Sequence, residues 1–150
     1  MNLPFALAAT TLFAGTLDAI GASVHFSWST KRDPANLWKF VASGVFGSRA
    51  LEGGKAMAAY GLLFHYAIAF ACTAMYFLLY NVLPVIRSWP HASGVAYAFI
   101  VWAVMTKIVL PLSKAPKRVR SPRDVAISIG ILIVCIGLPI SALTHYFYTH

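Results

Sequence analysis

Four long apolar runs constrain this chain more than any other feature. Pro4 to Trp28, Ala56 to Leu83, Ser93 to Leu112 and Val125 to Tyr148 each reach the length a helix needs to cross a bilayer core, about 20 residues at roughly 1.5 Å of rise apiece. Asp18 and His25 interrupt the first run, His65 the second, Lys107 the third and His145 the fourth. Between the runs lie charge and punctuation: Lys31-Arg32-Asp33-Pro34, Glu52-Gly53-Gly54-Lys55, Arg87-Ser88-Trp89-Pro90 and Lys114-Ala115-Pro116-Lys117. Lipid offers no partner to backbone N–H and C=O groups, so each run is expected to close its hydrogen bonds as a helix. A transmembrane barrel would alternate apolar and polar residues, and Ile127 to Ile140 does not.

Composition excludes the competing classes. The 150 residues are 59% hydrophobic and 11% charged, against about 25% charged in an average soluble domain. A soluble globule would lack a polar surface, and a disordered chain would be poor in apolar residues. The reading is an all-α polytopic membrane protein, one domain over residues 1–150. Residues 1–17 contain no Lys or Arg, so the first run lacks the basic start of a secretory signal and is read as an uncleaved span.

Charge sets the expected orientation. The loop after span one holds Lys31, Arg32, Lys39, Arg49 and Lys55, and the loop after span three holds Lys114, Lys117, Arg118, Arg120 and Arg123. The other side has only Arg87. Loops 29–55 and 113–124 are therefore expected in the cytoplasm, with both termini on the opposite side. The formal charge of +8 then serves topology and contact with anionic headgroups. No nucleic-acid reader motif accompanies it, and no nucleic-acid partner is expected.

The first inner loop contains a short helix by its pattern. Asp33 and Pro34 are an N-cap and a proline suited to the first turn. Leu37, Phe40, Val41, Gly44 and Val45 follow at helical spacing. This is an amphipathic interfacial helix, expected to lie in the headgroup plane between spans one and two and to pack under the bundle with no further task.

The candidate site is a polar cluster inside the spans. Asp18 lies about 11 residues, roughly 16 Å, from the basic end of span one. His65 lies roughly 15 Å along span two, and Lys107 about 10 Å along span three. Ala14, Asp18, Ala22 and His25 share one face, as do Gly61, His65, Ala69 and Cys72, and Ala96, Ile100, Ala103 and Lys107. Small neighbours let helices approach closely in lipid. A central Asp or Lys disfavours insertion by about 2.5–3.5 kcal/mol, against gains of about 0.3–0.6 per large apolar residue. Between Phe5 and Trp28 there are eight Leu, Ile, Phe or Val residues, so Asp18 alone nearly cancels span one's driving force and needs a partner. Asp18, His65 and Lys107 are expected to converge, with His25 a secondary candidate. Pro111 and Pro139 deny an i−4 bond to the carbonyls of Lys107 and Cys135, which adds backbone polarity.

Catalytic and cofactor signatures are missing. There is no HExxH, Walker loop, dinucleotide-binding glycine pattern or hydrolase elbow, so no enzyme, metal site or cofactor is expected. A haem held by two histidines would need both at one depth on facing helices, and no pair matches well. Haem-binding redox chemistry is the remote alternative. Cys72 and Cys135 differ in depth and read as packing residues, not a disulfide.

Several strings resemble a known family. Gly15-Thr16-Leu17-Asp18, Ala42-Ser43-Gly44-Val45-Phe46-Gly47, Gly61-Leu62-Leu63-Phe64-His65-Tyr66-Ala67-Ile68-Ala69, and Met105 followed by Val109-Leu110-Pro111-Leu112-Ser113 are similar, in this order, to small bacterial inner-membrane proteins like the YagU-like family. The resemblance implies a four-helix protein of the bacterial inner membrane, with periplasmic termini on the charge count. It implies that Asp18 and His65 belong to the family pattern; it does not carry Lys107. The expected function is small-solute or proton movement through the cluster, or an accessory role. The alternative is a structural or interaction subunit of a larger assembly. A bundle of four helices is thin, so a homo-oligomer or membrane partner is expected.

Overall fold

The first span begins where Asn2 accepts a hydrogen bond from the backbone N–H of Phe5 at 3.2 Å, with Pro4 in the first turn. This is a side-chain cap on an otherwise orphaned donor. The computed structural model describes residues 1–150. The chain is all-helical, and four of its helices are long and apolar enough to cross a membrane: Leu3–Thr30, Lys55–Val82, Pro90–Leu112 and Pro122–Thr149. It has the architecture of a multi-pass membrane protein. A connector helix, Ala35–Phe46, lies between spans one and two, and a short helix, Pro84–Ser88, between spans two and three. Asp33 accepts from the N–H of Ala35 at 2.8 Å, the cap its position implies. Ser121 accepts from the N–H of Asp124 at 3.2 Å and starts span four three residues before Val125.

Spans three and four each contain one widened turn. Residues Met105–Val109 and Ile133–Gly137 are π-helical, and the N–H groups of Leu110 and Leu138 reach back five residues, to Met105 and Ile133. Pro111 and Pro139 follow immediately. A proline has no N–H and its ring collides with the carbonyl four residues back, so widening the preceding turn relieves the collision. The two prolines thus alter the path of the helices as well as their backbone polarity.

The packing is inverted relative to a soluble protein. Only 26 of 150 residues are buried, and six of those are Ser or Thr. Large residues such as Phe13, Ile20, Leu63 and Leu78 face outward. Lipid is as apolar as leucine, so helices associate through small residues and hydrogen bonds instead. Spans three and four meet where Gly94 and Gly137 leave no room between their backbones for a Cβ.

One end of the bundle is dense. Tyr76, Tyr80 and Tyr97 are buried among Val101, Ile136 and Ile140. Each hydroxyl has a partner: Ser93 at 2.7 Å, His145 at 2.8 Å, and the Cys72 carbonyl at 2.7 Å, respectively. The Tyr76 and Tyr97 rings meet edge-on at 5.0 Å. Arg87 donates to the carbonyls of Tyr80 and Asn81, both at 2.9 Å. It thereby caps the end of span two, which explains the one cation of this side. Both termini lie here, with the Phe5 and Phe147 rings 6.2 Å apart.

The two basic loops meet at the other end. The N–H of Lys114 donates to Gly44 at 3.0 Å, and the Arg118 guanidinium lies 5.2 Å from the centre of the Phe40 ring. The connector helix packs on span two at Gly61, whose missing Cβ makes room for the Trp38 carbonyl. Its Leu37, Phe40 and Val41 turn inward to line a cavity. The apolar face of the connector helix is therefore largely used against the protein, as packing under the bundle requires.

Candidate functional site

Asp18 sits one helical turn from Ala14 and from Ala22, and His65 one turn from Gly61 and from Ala69. These small residues bring spans one and two together, and a Cβ on Gly15 would already lie 3.1 Å from the Tyr66 ring. The close approach delivers the His65 imidazole to span one. Its Nε2–H donates to the Gly15 carbonyl at 2.9 Å, and the same nitrogen lies 3.8 Å from Asp18 Oδ2. At that distance the Asp18–His65 contact is an ion-pair separation, not a hydrogen bond. Each side chain is 14% exposed. The Trp38 ring packs 5.2 Å from the imidazole, and Tyr66, beside it, shares a hydrogen bond with Thr16 at 2.8 Å.

Both residues line a cavity of about 390 Å³ that runs toward the basic end. Val101 and Ile136 form part of its wall and belong as well to the tyrosine-rich core. On the side of the termini the cavity wall therefore adjoins that core. A second Asp–His pair stands nearer its mouth: His25 Nε2 lies 3.7 Å from Asp124 Oδ1. Arg118 and Arg120 also line this region. Arg120 donates to Ser128 at 3.0 Å. The chain has four acidic residues, and two of them face this one space. The arrangement can accept and release a proton at Asp18, or hold a small cation there. No three His, Cys, Asp or Glu side chains converge to hold a metal ion.

Lys107 does not join the cluster. It is exposed, lies outside the cavity and has no ion-pair partner. The face Ala96, Ile100, Ala103 and Lys107 is mostly outward, with Ile100 at 56% exposure; the buried face carries Gly94, Tyr97, Ala98 and Val101. The reason lies in the partner span. Gly137 selects Gly94 for close contact, which turns Ile100 and Lys107 to lipid, where a lysine stem reaches the interface by extension. Lys107→Met is accordingly expected to change the unfolding midpoint little, by less than about 0.5 kcal/mol, in a thermal melt of the detergent-solubilised protein. A loss above about 2 kcal/mol would mean that Lys107 has a buried partner after all.

The secondary candidates divide. His25 is at the mouth, 3.7 Å from Asp124. Cys135 is free and outside the cavity lining, near Gly21, where a Cβ would lie 3.4 Å from its sulfur. Pro111 is exposed and Pro139 half-buried, and neither lines the cavity. Sequence reasoning missed Asp124 and Trp102 as cavity residues, and read Cys72, which shares the His65 face, only as a packing residue. Asp124 had a signal: it is the third residue after the Ser121 cap, so it belongs to the first turn of span four, at the basic end. Trp102 had none, because an apolar run does not reveal which of its aromatics face inward.

Comparison with protein-family models, curated proteins and solved structures gives no match.

Proposed function

We propose that the protein is a multi-pass protein of a bacterial inner membrane that admits protons or a small solute from the cytoplasm into a vestibule ending at Asp18 and His65. The count of Lys and Arg supports a cytoplasmic basic end and periplasmic termini. The resemblance to YagU-like proteins supports the same membrane. The observation that carries the reading is the vestibule itself: about 390 Å³, reaching from the basic loops to the core that holds Tyr76 and Tyr97, with an acid and an imidazole in its wall. An ionisable group held inside a bundle at an aqueous cavity is how membrane proteins relay protons or bind cargo. Passage across requires the tyrosine layer to rearrange, as in alternating access. A thin bundle achieves this more readily within a homo-oligomer or beside a partner.

A second reading is supported by the His65–Gly15 hydrogen bond, which ties two spans together. On that reading the pair fixes helix register and the chain is an interaction subunit.

Reconstituted vesicles loaded with a pH-sensitive dye separate the two. Under an imposed membrane potential, the protein is expected to pass protons faster than protein-free vesicles do. Ala22→Phe sets a ring into the vestibule, since Ala22 lines it. This variant is expected to lower the rate to background while the melting midpoint stays within about 1 kcal/mol of the parent. A wild-type rate equal to that of empty vesicles, or full flux through Ala22→Phe, overturns the proposal in favour of the structural reading.

A further inference from the structure

We propose that the solute admitted to this vestibule is a small amphiphilic amine, its cationic head held by Asp18 and its body by the apolar wall. The inference rests on the vestibule being an entry site and adds the chemistry of what enters. The Asp18 carboxylate accepts no hydrogen bond from the protein: the facing His65 Nε2–H is directed to the Gly15 carbonyl at 2.9 Å and stands 3.8 Å from Oδ2. A carboxylate set in a low-dielectric wall with its acceptor positions open complements an N–H⁺ donor. The remaining wall is chiefly hydrophobic, 15 of 25 lining residues, and includes Phe26, Phe40, Ile68 and Trp102. Aromatic faces attract cations as well as apolar bodies. At about 390 Å³ the space falls at the low end of small-ligand pockets, roughly 300–1,000 Å³.

An anionic solute fits less well. Its charge would have to sit against Asp18. The two arginines that could draw it lie toward the mouth and already have partners, Arg118 the Phe40 ring and Arg120 the Ser128 hydroxyl. Asp124 stands with them in the cavity wall and offsets part of their charge.

Binding and protonation then compete at one carboxyl. The amine enters as a cation and binds the carboxylate form of Asp18, so a proton on that carboxyl excludes it. The titratable groups that face Asp18 are His65 and Cys72 from span two and Cys135 from span four. Toward the mouth are His25, Asp124 and the two arginines.

The test uses the full chain in detergent, with calorimetry and tryptophan fluorescence as readouts. The probes are 2-phenylethylamine, its neutral analogue 2-phenylethanol and the anion 3-phenylpropionate. The amine is expected to bind saturably and more tightly than the other two. Its affinity should fall as the pH is lowered and the Asp18 carboxylate takes up a proton. Asp18→Asn is expected to weaken the amine by about 10- to 100-fold, the loss of one charge-assisted bond. Lys107→Met should leave it unchanged. Equal or tighter binding of the anion or alcohol, or an amine affinity that does not fall as the pH is lowered, overturns the inference without recourse to a variant. Amine-free proton flux in vesicles without amine binding would overturn this inference alone. Absence of both would overturn the entry reading with it.

Discussion

Asp18→Asn is expected to bring proton flux in dye-loaded vesicles down to that of protein-free vesicles while the protein stays folded. The argument rests on what the carboxylate does and does not hold. Asparagine has the shape of aspartate but cannot ionise, so the vestibule loses the carboxyl whose proton exchanges at its inner end. The fold is not held by that charge. His65 donates to the Gly15 carbonyl at 2.9 Å and sits 3.8 Å from Asp18, so spans one and two keep their hydrogen bond when the acid becomes an amide. Removing one member of a buried ion pair is severe when the other is left as an unpaired charge. Here the imidazole retains its backbone partner and its packing on Trp38. The change in stability is therefore expected to stay below about 1 kcal/mol, read as the thermal midpoint of circular dichroism in detergent. If flux survives in Asp18→Asn, the vestibule does not work through this acid. If instead the protein unfolds, the pair is a structural tie and the interaction-subunit reading gains.

Gly94→Val is expected to separate span three from span four and to destabilise the protein by about 1–3 kcal/mol or more. A Cβ at position 94 would lie 2.7 Å from the Gly137 carbonyl oxygen and closer still to the Ser141 hydroxyl. The hydroxyl can turn away, but the carbonyl belongs to a packed helix and cannot. A β-branched side chain adds two more carbons to the same space. Moving the spans apart would loosen Val101 and Ile136, which close the vestibule toward the tyrosines. A lowered midpoint should therefore come with faster labelling of Cys72, which lines the cavity, by a water-soluble thiol reagent. Gly130→Ala is the matched control on span four. Nothing lies within 4 Å of a Cβ there, and alanine's better helix propensity should hold or raise stability by up to about 1 kcal/mol. Equal behaviour of the two variants would remove close packing as the source of the span three–span four contact.

The four spans could be read from residues alone because the bilayer acts as a one-dimensional filter. It demands length, apolarity and internally closed hydrogen bonds, and Pro4–Trp28 or Val125–Tyr148 satisfies that demand wherever its neighbours lie. The likeness in depth of Asp18 and His65 could be estimated for the same reason, since rise per residue is a property of a single helix. Their rotation toward each other was suggested by Ala14, Ala22, Gly61 and Ala69, because small residues mark close approach in lipid. Span three shows where such reasoning fails. Ala96, Ile100, Ala103 and Lys107 are as periodic as Gly94, Tyr97, Ala98 and Val101, so both stripes satisfy helical spacing. The choice between them was made by Gly137 across the interface, through a contact between residues far apart in the chain. The same holds for the vestibule and its roof of tyrosines. A run of apolar residues states how far a helix extends through the membrane, but which way each side chain faces depends on which helix stands beside it.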